Sequence, residues 1–184
     1  NNSTVVVSDT SSALSISNTG TVTCANTNLT VNAVSLGQGT FTAPSASGSF
    51  IISGEKDGLA FDYDGNGYVH NSGTIQIKTA ASTFVDFTPN DAAHVDINNV
   101  TIDHASCVAK WTHACTIAGD LLIKQGAIEV DDGDEAFTVQ GNVTVGDGSG
   151  SANTAVLGNA ADTAAMTFGS LTINSDGKYI ATTG

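Results

Sequence analysis

Residues 138–148 read TVQGNVTVGDG, and the same pattern returns as TIAGDLLIKQG at 116–126 and as TFGSLTINSDG at 167–177. In each copy apolar residues alternate with small or polar ones, a Gly or Ser interrupts the alternation, and a Gly turn ends the segment. Apolar-polar alternation predicts a half-buried β-strand, and Gly lets the backbone turn sharply between strands. The three copies therefore predict one strand-and-turn unit that the chain uses repeatedly.

The spacing of the copies indicates how the units are arranged. A fourth copy, VDINNVTIDHA, begins at residue 95, so the four starts at 95, 116, 138 and 167 are 21, 22 and 29 residues apart. We expect residues 149–164 to be an inserted loop that lengthens the last interval. A period of about 22 residues is typical of one turn of a β-solenoid, in which each rung buries its apolar residues by stacking on the next. A β-sandwich or jelly roll is the alternative, although its strands need not resemble one another.

Short alternating runs fill the rest of the chain, for example NLTVNAV at 28–34 and GTIQIKT at 73–79. We therefore predict a single all-β domain over residues 1–184, a parallel right-handed β-helix of about eight rungs with a less regular start over residues 1–30. At about 4.8 Å per rung its length would be on the order of 40 Å. Because a stack of rungs leaves unpaired strands at both ends, we expect the chain to be a segment of a larger protein or assembly.

The alternation also predicts which side chains fill the interior of the coil. The inward residues of the three copies are Ile117, Leu121 and Ile123, then Val139, Val143 and Val145, and finally Phe168, Leu171 and Ile173. The residues that turn the backbone between faces are predicted to be Gly119, Gly141 and Ser170, because small residues allow a tight corner.

Charge excludes several classes of partner. The chain has 18 acidic and 5 basic residues, all of the latter lysine, and a net charge of −13. Nucleic acids and anionic membrane surfaces are bound through clustered Lys and Arg, so we expect no nucleic-acid partner. We also expect no membrane insertion, because no apolar run approaches the roughly 20 residues that span a bilayer. Residues 1–12 lack the pattern of a signal peptide, so we expect a processed product, a fragment, or a protein not secreted by that route.

The segment DYDGNGY at 62–68 is the candidate metal site. Asp62, Asp64 and Asn66 have the spacing of the first ligands of an EF-hand loop and could bind calcium. Position 73, where such a loop has its Glu, is Gly, and Asp-Gly-Asn-Gly is also a good sequence for a turn at a rung corner. We prefer the turn and keep calcium as the alternative; no other cofactor is expected.

The segment HASCVAKWTHAC at 104–115 has three interpretations. His104, Cys107, His113 and Cys115 are residue types that bind zinc, but their spacing fits no standard site. A disulfide between the two cysteines is a second interpretation. We prefer a third, in which Cys107, Ala109, Trp111, His113 and Cys115 share the inner face of a strand and Trp111 packs in the core or closes the end of the coil.

No group of residues predicts a catalytic site. The acidic cluster at 129–135, EVDDGDE, contains Glu129, Asp131, Asp132, Asp134 and Glu135, and paired carboxylates can cleave glycosidic bonds. However, the chain has no Arg and few aromatic residues to hold a sugar, so we interpret the cluster as a solvated turn between rungs. The four histidines, at positions 70, 94, 104 and 113, have no Ser or Asp at the spacing of a catalytic triad. We therefore expect no enzyme activity.

Residues 37–79, with GTFTAPSASGSFIISG followed by HNSGT, resemble the long repetitive surface proteins of phage virions and the adhesin-like surface proteins of bacteria. The segments VDINNVTIDHAS and TIAGDLLIKQGAIEV are similar to the segments that usually follow in those proteins. The resemblance covers roughly residues 30–184 and departs at Cys107 and Cys115, where the relatives usually have Gly, Ser or Thr. It implies a β-solenoid and a structural role at a surface, and it carries no catalytic residues.

Our first hypothesis for the function is a structural virion surface protein: a phage fibre, tailspike shaft or capsid-decorating module for rigid display and attachment. The second is a segment of a bacterial extracellular adhesin, and the third is a carbohydrate-active β-helix enzyme. The first implies a homo-oligomer, for which a trimer is preferred, located at the virion surface or outside the cell. Its partners would be other virion or surface proteins and a host surface glycan. An ice-binding solenoid is disfavoured, because a regular Thr-x-Thr ladder is missing from the sequence.

Overall fold

We describe the chain from a computed structural model. It describes residues 4–7, 12–16, 20–24, 26–37, 39–65, 67–89, 96–130, 136–152, 154–161 and 164–181. Within these ranges, only the backbone is described for residues 4–7, 64–65, 84, 86–89 and 96.

The described residues form β-strands and no helix. The strands are β1 (Thr4–Val7), β2 (Ala13–Ile16), β3 (Thr21–Thr23), β4 (Asn28–Val31), β5 (Ala33–Leu36), β6 (Thr40–Thr42), β7 (Phe50–Ile52), β8 (Leu59–Gly65), β9 (Tyr68–Val69), β10 (Thr74–Ile77), β11 (Ser82–Pro89), β12 (Asp96–Ile97), β13 (Asn99–Trp111), β14 (Cys115–Ile117), β15 (Leu121–Val130), β16 (Phe137–Val145), β17 (Ala155–Leu157), β18 (Met166–Ile173) and β19 (Gly177–Tyr179). The part of the chain described here thus contains no helix long and apolar enough to cross a membrane.

The strands stack in three faces, and every pairing between them is parallel. The first face stacks β1, β4, β7, β10, β13, β15, β16 and β18. The second stacks β2, β5, β8, β11, β13, β15, β17 and β19. The third face comprises β3, β6 and β9 in one ladder and β12, β14, β16 and β18 in another. Four long strands, β13, β15, β16 and β18, continue around a corner and belong to two faces each.

This arrangement is a β-solenoid, and the predicted fold class is confirmed. The coil makes about six turns, slightly fewer than the eight rungs expected. Strands β1 to β3 continue the ladders of β4 to β6 in register, so the described part of residues 1–30 follows the same plan as the rest. One cluster of buried apolar side chains runs from Ile16 to Ala164.

The predicted interior is confirmed for two of the three copies. Ile117, Leu121, Ile123, Val139, Val143 and Val145 are all at most 1% exposed. The third copy differs: Phe168 is half-buried, and Leu171 and Ile173 are 37% and 47% exposed. These residues stay in register with Val139, Val143 and Val145, but β18 pairs only with β16. They are exposed because no rung covers them in the described coil.

The corners between the third and first faces depend on glycine, and here one prediction was wrong. Ser170 pairs with Asn142, so the corner residue of the last copy is Gly169, one position earlier. A Cβ at Gly169 would lie 2.3 Å from the carbonyl oxygen of Gln140, and one at Gly141 would lie 2.4 Å from that of Gly119. The backbones of successive turns approach too closely at this corner for a side chain.

A ladder of polar side chains climbs beside these glycines. The Asn99 Oδ1 accepts a hydrogen bond from the Asp120 N–H at 2.7 Å, and the Asp120 Oδ1 accepts one from the Asn142 N–H at 2.8 Å. The Ser170 hydroxyl then donates to Asn142 Oδ1 at 2.7 Å. Asn99, Asp120 and Asn142 each accept a hydrogen bond from the next turn, which explains why a polar residue follows the corner glycines at 119, 141 and 169.

The segment 149–164 is not an inserted loop throughout. It contains β17, which pairs with β15 on one side and β19 on the other and supplies the second face of its turn. Ala155 and Leu157 are fully buried there. The additional residues of this turn therefore lie in the connections on either side of β17, and the coil continues through the segment.

Candidate functional site

A groove of about 430 Å³ lies on the second face near the N-terminal end of the coil. Its polar lining consists of three hydroxyl groups, one lysine and two carboxylates, from Ser12, Ser15, Ser35, Lys56, Asp57 and Asp62. These residues come from successive turns of the coil and meet because β2, β5 and β8 stack in register. The groove thus offers hydrogen-bond donors and acceptors together with one positive and two negative charges.

A tight turn at residues 56–59 forms one wall of this groove. Asp57 and Gly58 have φ angles of 54° and 87°, and the N–H of Lys56 and of Leu59 each donate to the other's carbonyl at 2.9 Å. Two central residues with positive φ define a type I′ turn, which Asp-Gly favours. The Lys56 ammonium forms an ion pair with the Asp57 carboxylate. This turn fixes both charges at the groove wall.

Asp62 is the one residue of the predicted calcium site that lines the groove. It is half-buried on β8 between the buried Phe61 and Tyr63, and its Oδ2 accepts a hydrogen bond from the Ser35 hydroxyl at 3.2 Å. Only the backbone of Asp64 is described, and Asn66 lies outside the described residues. Asp62 and Asp64 belong to an extended strand, unlike the loop residues of an EF-hand.

No group of three or more His, Cys, Asp or Glu side chains within the described residues is arranged to hold a metal ion. Since Asn66 falls outside those residues, the calcium site stays a prediction. β8 ends at Gly65 and β9 begins at Tyr68, so the break between the two strands falls in the second half of DYDGNGY, and the preferred turn there stays a prediction.

A second groove, of about 480 Å³, lies on the first face beside the polar ladder. Its lining includes the ladder residues Asn99, Asp120, Asn142 and Ser170, together with the outward-facing Thr101, Leu122, Thr144 and Thr172. Among these eight side chains Asp120 carries the only charge. Our sequence reasoning missed this groove, although the polar residue after each corner glycine is a visible signal for it.

A third groove, of about 320 Å³, lies near the C-terminal end of the first face, and two of its carboxylates belong to Asp103 and Asp147. Asp103 is paired with Lys78 at 3.0 Å and with Lys124 at 3.9 Å. The Ser149 hydroxyl and N–H donate to Asp147, and these hydrogen bonds lower the pKa of its carboxyl group. The carboxylates of Asp103 and Asp147 thus already have lysines or hydrogen-bond donors of the protein as partners.

Asp176 was not singled out by the sequence, because it stands in an ordinary Gly-ended turn. It is fully buried, and its carboxylate accepts hydrogen bonds from the N–H groups of Asp147, Gly148 and Gly150 at 2.9 to 3.3 Å. A carboxylate satisfied by backbone donors stabilises the loop that carries them. Asp176 therefore holds in place the loop at residues 147–150, part of which lines the third groove.

The Cys and His residues at 104–115 are separated by the fold. Cys107, Ala109 and Trp111 share the buried face of β13, as predicted, but His113 lies beyond the end of the strand and is half-buried. Cys115 is buried on β14, in the third face, and neither cysteine is part of a disulfide. The His104 Nδ1 accepts a hydrogen bond from the N–H of Ser106 at 3.2 Å. These contacts favour packing, the interpretation that we preferred.

The buried thiols lead to a prediction about reactivity. Burial raises the pKa of Cys107 to about 12, so at pH 8 its thiolate fraction would be on the order of one in ten thousand. We expect Cys24, Cys107 and Cys115 to resist iodoacetamide in the folded protein at pH 8 and to react fully in urea. A Thr172→Cys variant, with its thiol at an exposed position, is the positive control. Rapid labelling of the native wild-type protein would contradict the described burial.

The last candidates are the acidic cluster at 129–135 and the histidines at positions 70 and 94, and they form no site among the described residues. Residues 131–135 of the acidic cluster and His94 lie outside the described residues. Glu129, at the edge of the cluster, lies on β15 and forms an ion pair with Lys110 at 3.6 Å. The His70 Nδ1 accepts a hydrogen bond from the N–H of Ser72 in an exposed turn.

Comparison with known proteins adds no relative: no family model matches the chain, and neither a curated protein nor a solved structure matches it.

Proposed function

We propose that the chain is a structural module of a surface assembly, a virion fibre, shaft or capsid decoration, that holds binding surfaces rigidly away from the particle. The observation that carries this proposal is the first-face ladder, which keeps one parallel register from β1 to β18. Each turn adds about 4.8 Å of length. A sequence that repeats this unit builds a stiff rod.

The packing of aromatic side chains in the interior supports a rigid structural role. Trp111 packs edge-on against Phe137 with ring centroids 5.5 Å apart, and Phe41, Phe50 and Phe61 form a similar chain of contacts in the N-terminal half. Interiors packed in this way are hard to deform, because every side chain is held by the turns above and below it. A rod of this kind suits display and attachment better than conformational switching.

The grooves suggest the chemistry of attachment. Hydroxyl and amide groups with one carboxylate line the first-face groove, and three hydroxyl groups, one lysine and two carboxylates line the second-face groove. Such surfaces suit a polyhydroxylated ligand, such as a host surface glycan. A net charge of −13 disfavours anionic ligands. We place the module on a virion surface or outside a cell, as a homo-oligomer, with a trimer preferred. A bacterial adhesin segment would use the same surfaces.

The native assembly tests this proposal. An antibody raised against the chain is used to label intact particles and cells for electron cryomicroscopy. We expect label on projecting rods at the surface, with three copies in each projection. Label confined to the interior of cells would overturn the surface role, and projections containing one or two copies would overturn the trimer alone. A separate glycan-array measurement compares the wild type with Ser35→Ala and Asp62→Ala, with Thr116→Ala on the third face as the control.

A further inference from the structure

Two columns of side chains run along the coil axis on the outward side of the first face. The first column extends the polar ladder by one residue, and the second lies two residues further along each strand. The first contains Thr74, Asn99, Asp120, Asn142 and Ser170, and the second contains Thr101, Leu122, Thr144 and Thr172. Neighbours within a column are about 4.8 Å apart, and the two columns are about 7 Å apart. We call this pair of columns the axial track.

The rows of the axial track repeat every second turn. Asn99 and Thr101 form one row on β13, and Asn142 and Thr144 form an identical row on β16. The row between them, on β15, has a carboxylate and an apolar side chain instead. Identical rows are therefore about 10 Å apart along the axis. A long ligand that fits this surface has to present the same groups with that period.

Several hydrogen-bonding groups of the axial track are left for a ligand. Within the described residues, no protein group is hydrogen-bonded to the side-chain hydroxyl groups of Thr101, Thr144 and Thr172. In the polar ladder, Asn99 and Asp120 each use only their Oδ1 atom. The side-chain NH2 group of Asn99 and the second carboxylate oxygen of Asp120 therefore stay available. The track thus offers both donors and acceptors along its length.

The side chains of the axial track are held in place before a ligand arrives. Hydrogen bonds of the polar ladder fix the side chains of Asn99, Asp120 and Asn142. The threonines of the second column are β-branched, so few rotamers are open to them. Because little side-chain freedom is lost on binding, a surface of this kind favours a stiff and extended ligand.

Charge disfavours ionic ligands on the axial track. Among its nine side chains only Asp120 is charged, whereas Lys56, Asp57 and Asp62 line the second-face groove. A polyanion would be repelled by Asp120 and by the net charge of −13. A polycation would find a single carboxylate to pair with. The ligand that suits the track best is therefore an uncharged chain with many hydroxyl groups.

We propose that the axial track binds an uncharged, β-1,4-linked polysaccharide that lies along the coil axis with one sugar ring on each turn. In such a chain the rings follow a nearly straight line, and each ring is turned over relative to the one before, so the pattern repeats every second ring. This period matches the alternation of the rows. Five strands, from β10 to β18, contribute to the groove, so about five rings cover its length of about 20 Å. The inference rests on the proposed function, for which it names the ligand and the face that binds it.

Titration calorimetry of residues 1–184 with oligosaccharides of defined length is the first test. Chitohexaose and cellohexaose are the two β-1,4-linked probes, and they distinguish N-acetylglucosamine from glucose as the unit. We expect at least one hexamer to bind, about tenfold or more tightly than its own dimer, because each further ring adds contacts without a further loss of rigid-body freedom. Failure of both hexamers to bind would overturn the proposal, and so would equal affinities of dimer and hexamer.

Maltohexaose is the control for the shape of the chain. It has the same glucose rings as cellohexaose, but its α-1,4 linkages curve the chain, so only a short part of it can follow a straight track. We expect maltohexaose to bind about tenfold more weakly than the β-1,4-linked hexamer that binds more tightly, or not at all. Equal affinities would overturn the axial orientation of the ligand.

A double variant tests the residues of the track. Thr101→Val with Thr144→Val removes one hydroxyl group from each of the two identical rows and keeps the β-branched shape of both side chains. We expect the affinity for the hexamer to fall about tenfold, since two hydrogen bonds are lost. Thr116→Val, on the third face, is the matched control and should bind as the wild type does. Unchanged affinity in a double variant that circular dichroism shows to be folded would overturn the role of these hydroxyl groups.

Nuclear magnetic resonance locates the bound hexamer on the wild-type protein, so this measurement does not depend on the folding of a variant. We expect the largest changes in amide chemical shift at residues 99–101, 120–122 and 142–144. Changes clustered at residues 56–62, in the second-face groove, would overturn the inference and leave the proposed function standing. Labelling of intact particles tests the surface role separately, because it does not involve the axial track.

Discussion

Replacing Gly126 with alanine is expected to lower the free energy of unfolding by about 2–5 kcal/mol. Gly126 has a φ of +87°, which an L-residue adopts only at a cost of about 1–2 kcal/mol. Its Cβ would also lie 2.5 Å from the carbonyl oxygen of His104 and 2.6 Å from that of Cys107. Both oxygens belong to the backbone of the turn below. These close contacts could therefore be relieved only if the backbone at a corner of the coil moved.

Gly148 provides the matched control for this substitution. Its φ is +80°, but nothing lies within 4 Å of where its Cβ would be. Gly148→Ala should therefore cost only the conformational part, about 1–2 kcal/mol. Urea unfolding followed by circular dichroism measures both variants. Equal losses in the two would show that the close approach at Gly126 contributes nothing.

Truncating Trp111 to alanine is expected to cost about 3–5 kcal/mol. The side chain is 1% exposed, its ring packs against Phe137, and its position pairs with Val85 in the turn before and Val130 in the turn after. Removing it leaves a cavity that the neighbouring turns cannot fill without losing their own register. Because Trp111 is the only tryptophan, unfolding has to be followed by circular dichroism, not by fluorescence.

The variant Trp111→Phe refines this prediction. The Nε1 of Trp111 is buried without a hydrogen-bond partner, so phenylalanine removes an unsatisfied donor together with part of the ring. We expect Trp111→Phe to lower the free energy of unfolding much less than Trp111→Ala does. Leu122→Ala, on the outward side of the first face, is the surface control and should cost about 1 kcal/mol or less. A Trp111→Ala loss as small as that of Leu122→Ala would contradict the central packing of the ring.

Most of the fold could be predicted from the sequence because the same physical requirement recurs in every turn. An inward apolar pair such as Val143 and Val145 must lie two residues apart, and a corner such as that at Gly141 must lack a side chain. Repetition makes both requirements visible as a period. The burial of Trp111 followed from the same alternation along residues 107–111.

Other features depend on what lies next to a residue in space. Leu171 has the same local pattern as Val143, and only its place in the last rung of the ladder leaves it exposed. The strand β17 is three residues long within a run of Gly, Ser, Asn and Ala, too short to stand out. The second-face groove joins Ser35 and Asp62, which are 27 residues apart, and one of its walls is the turn at residues 56–59.

The parallel stacking of turns makes the folding energy of this protein a sum over neighbours. Each turn touches only the one before and the one after it, so cooperativity is transmitted along the axis from turn to turn. When residues 1–184 are studied alone, a turn covered on both sides should open less often than one covered on a single side, so amide protons near Ile102 and Ile123 should exchange with deuterium more slowly than those near Ile173. In such a coil a turn resists mechanical opening most when it is held by a neighbouring turn on both sides.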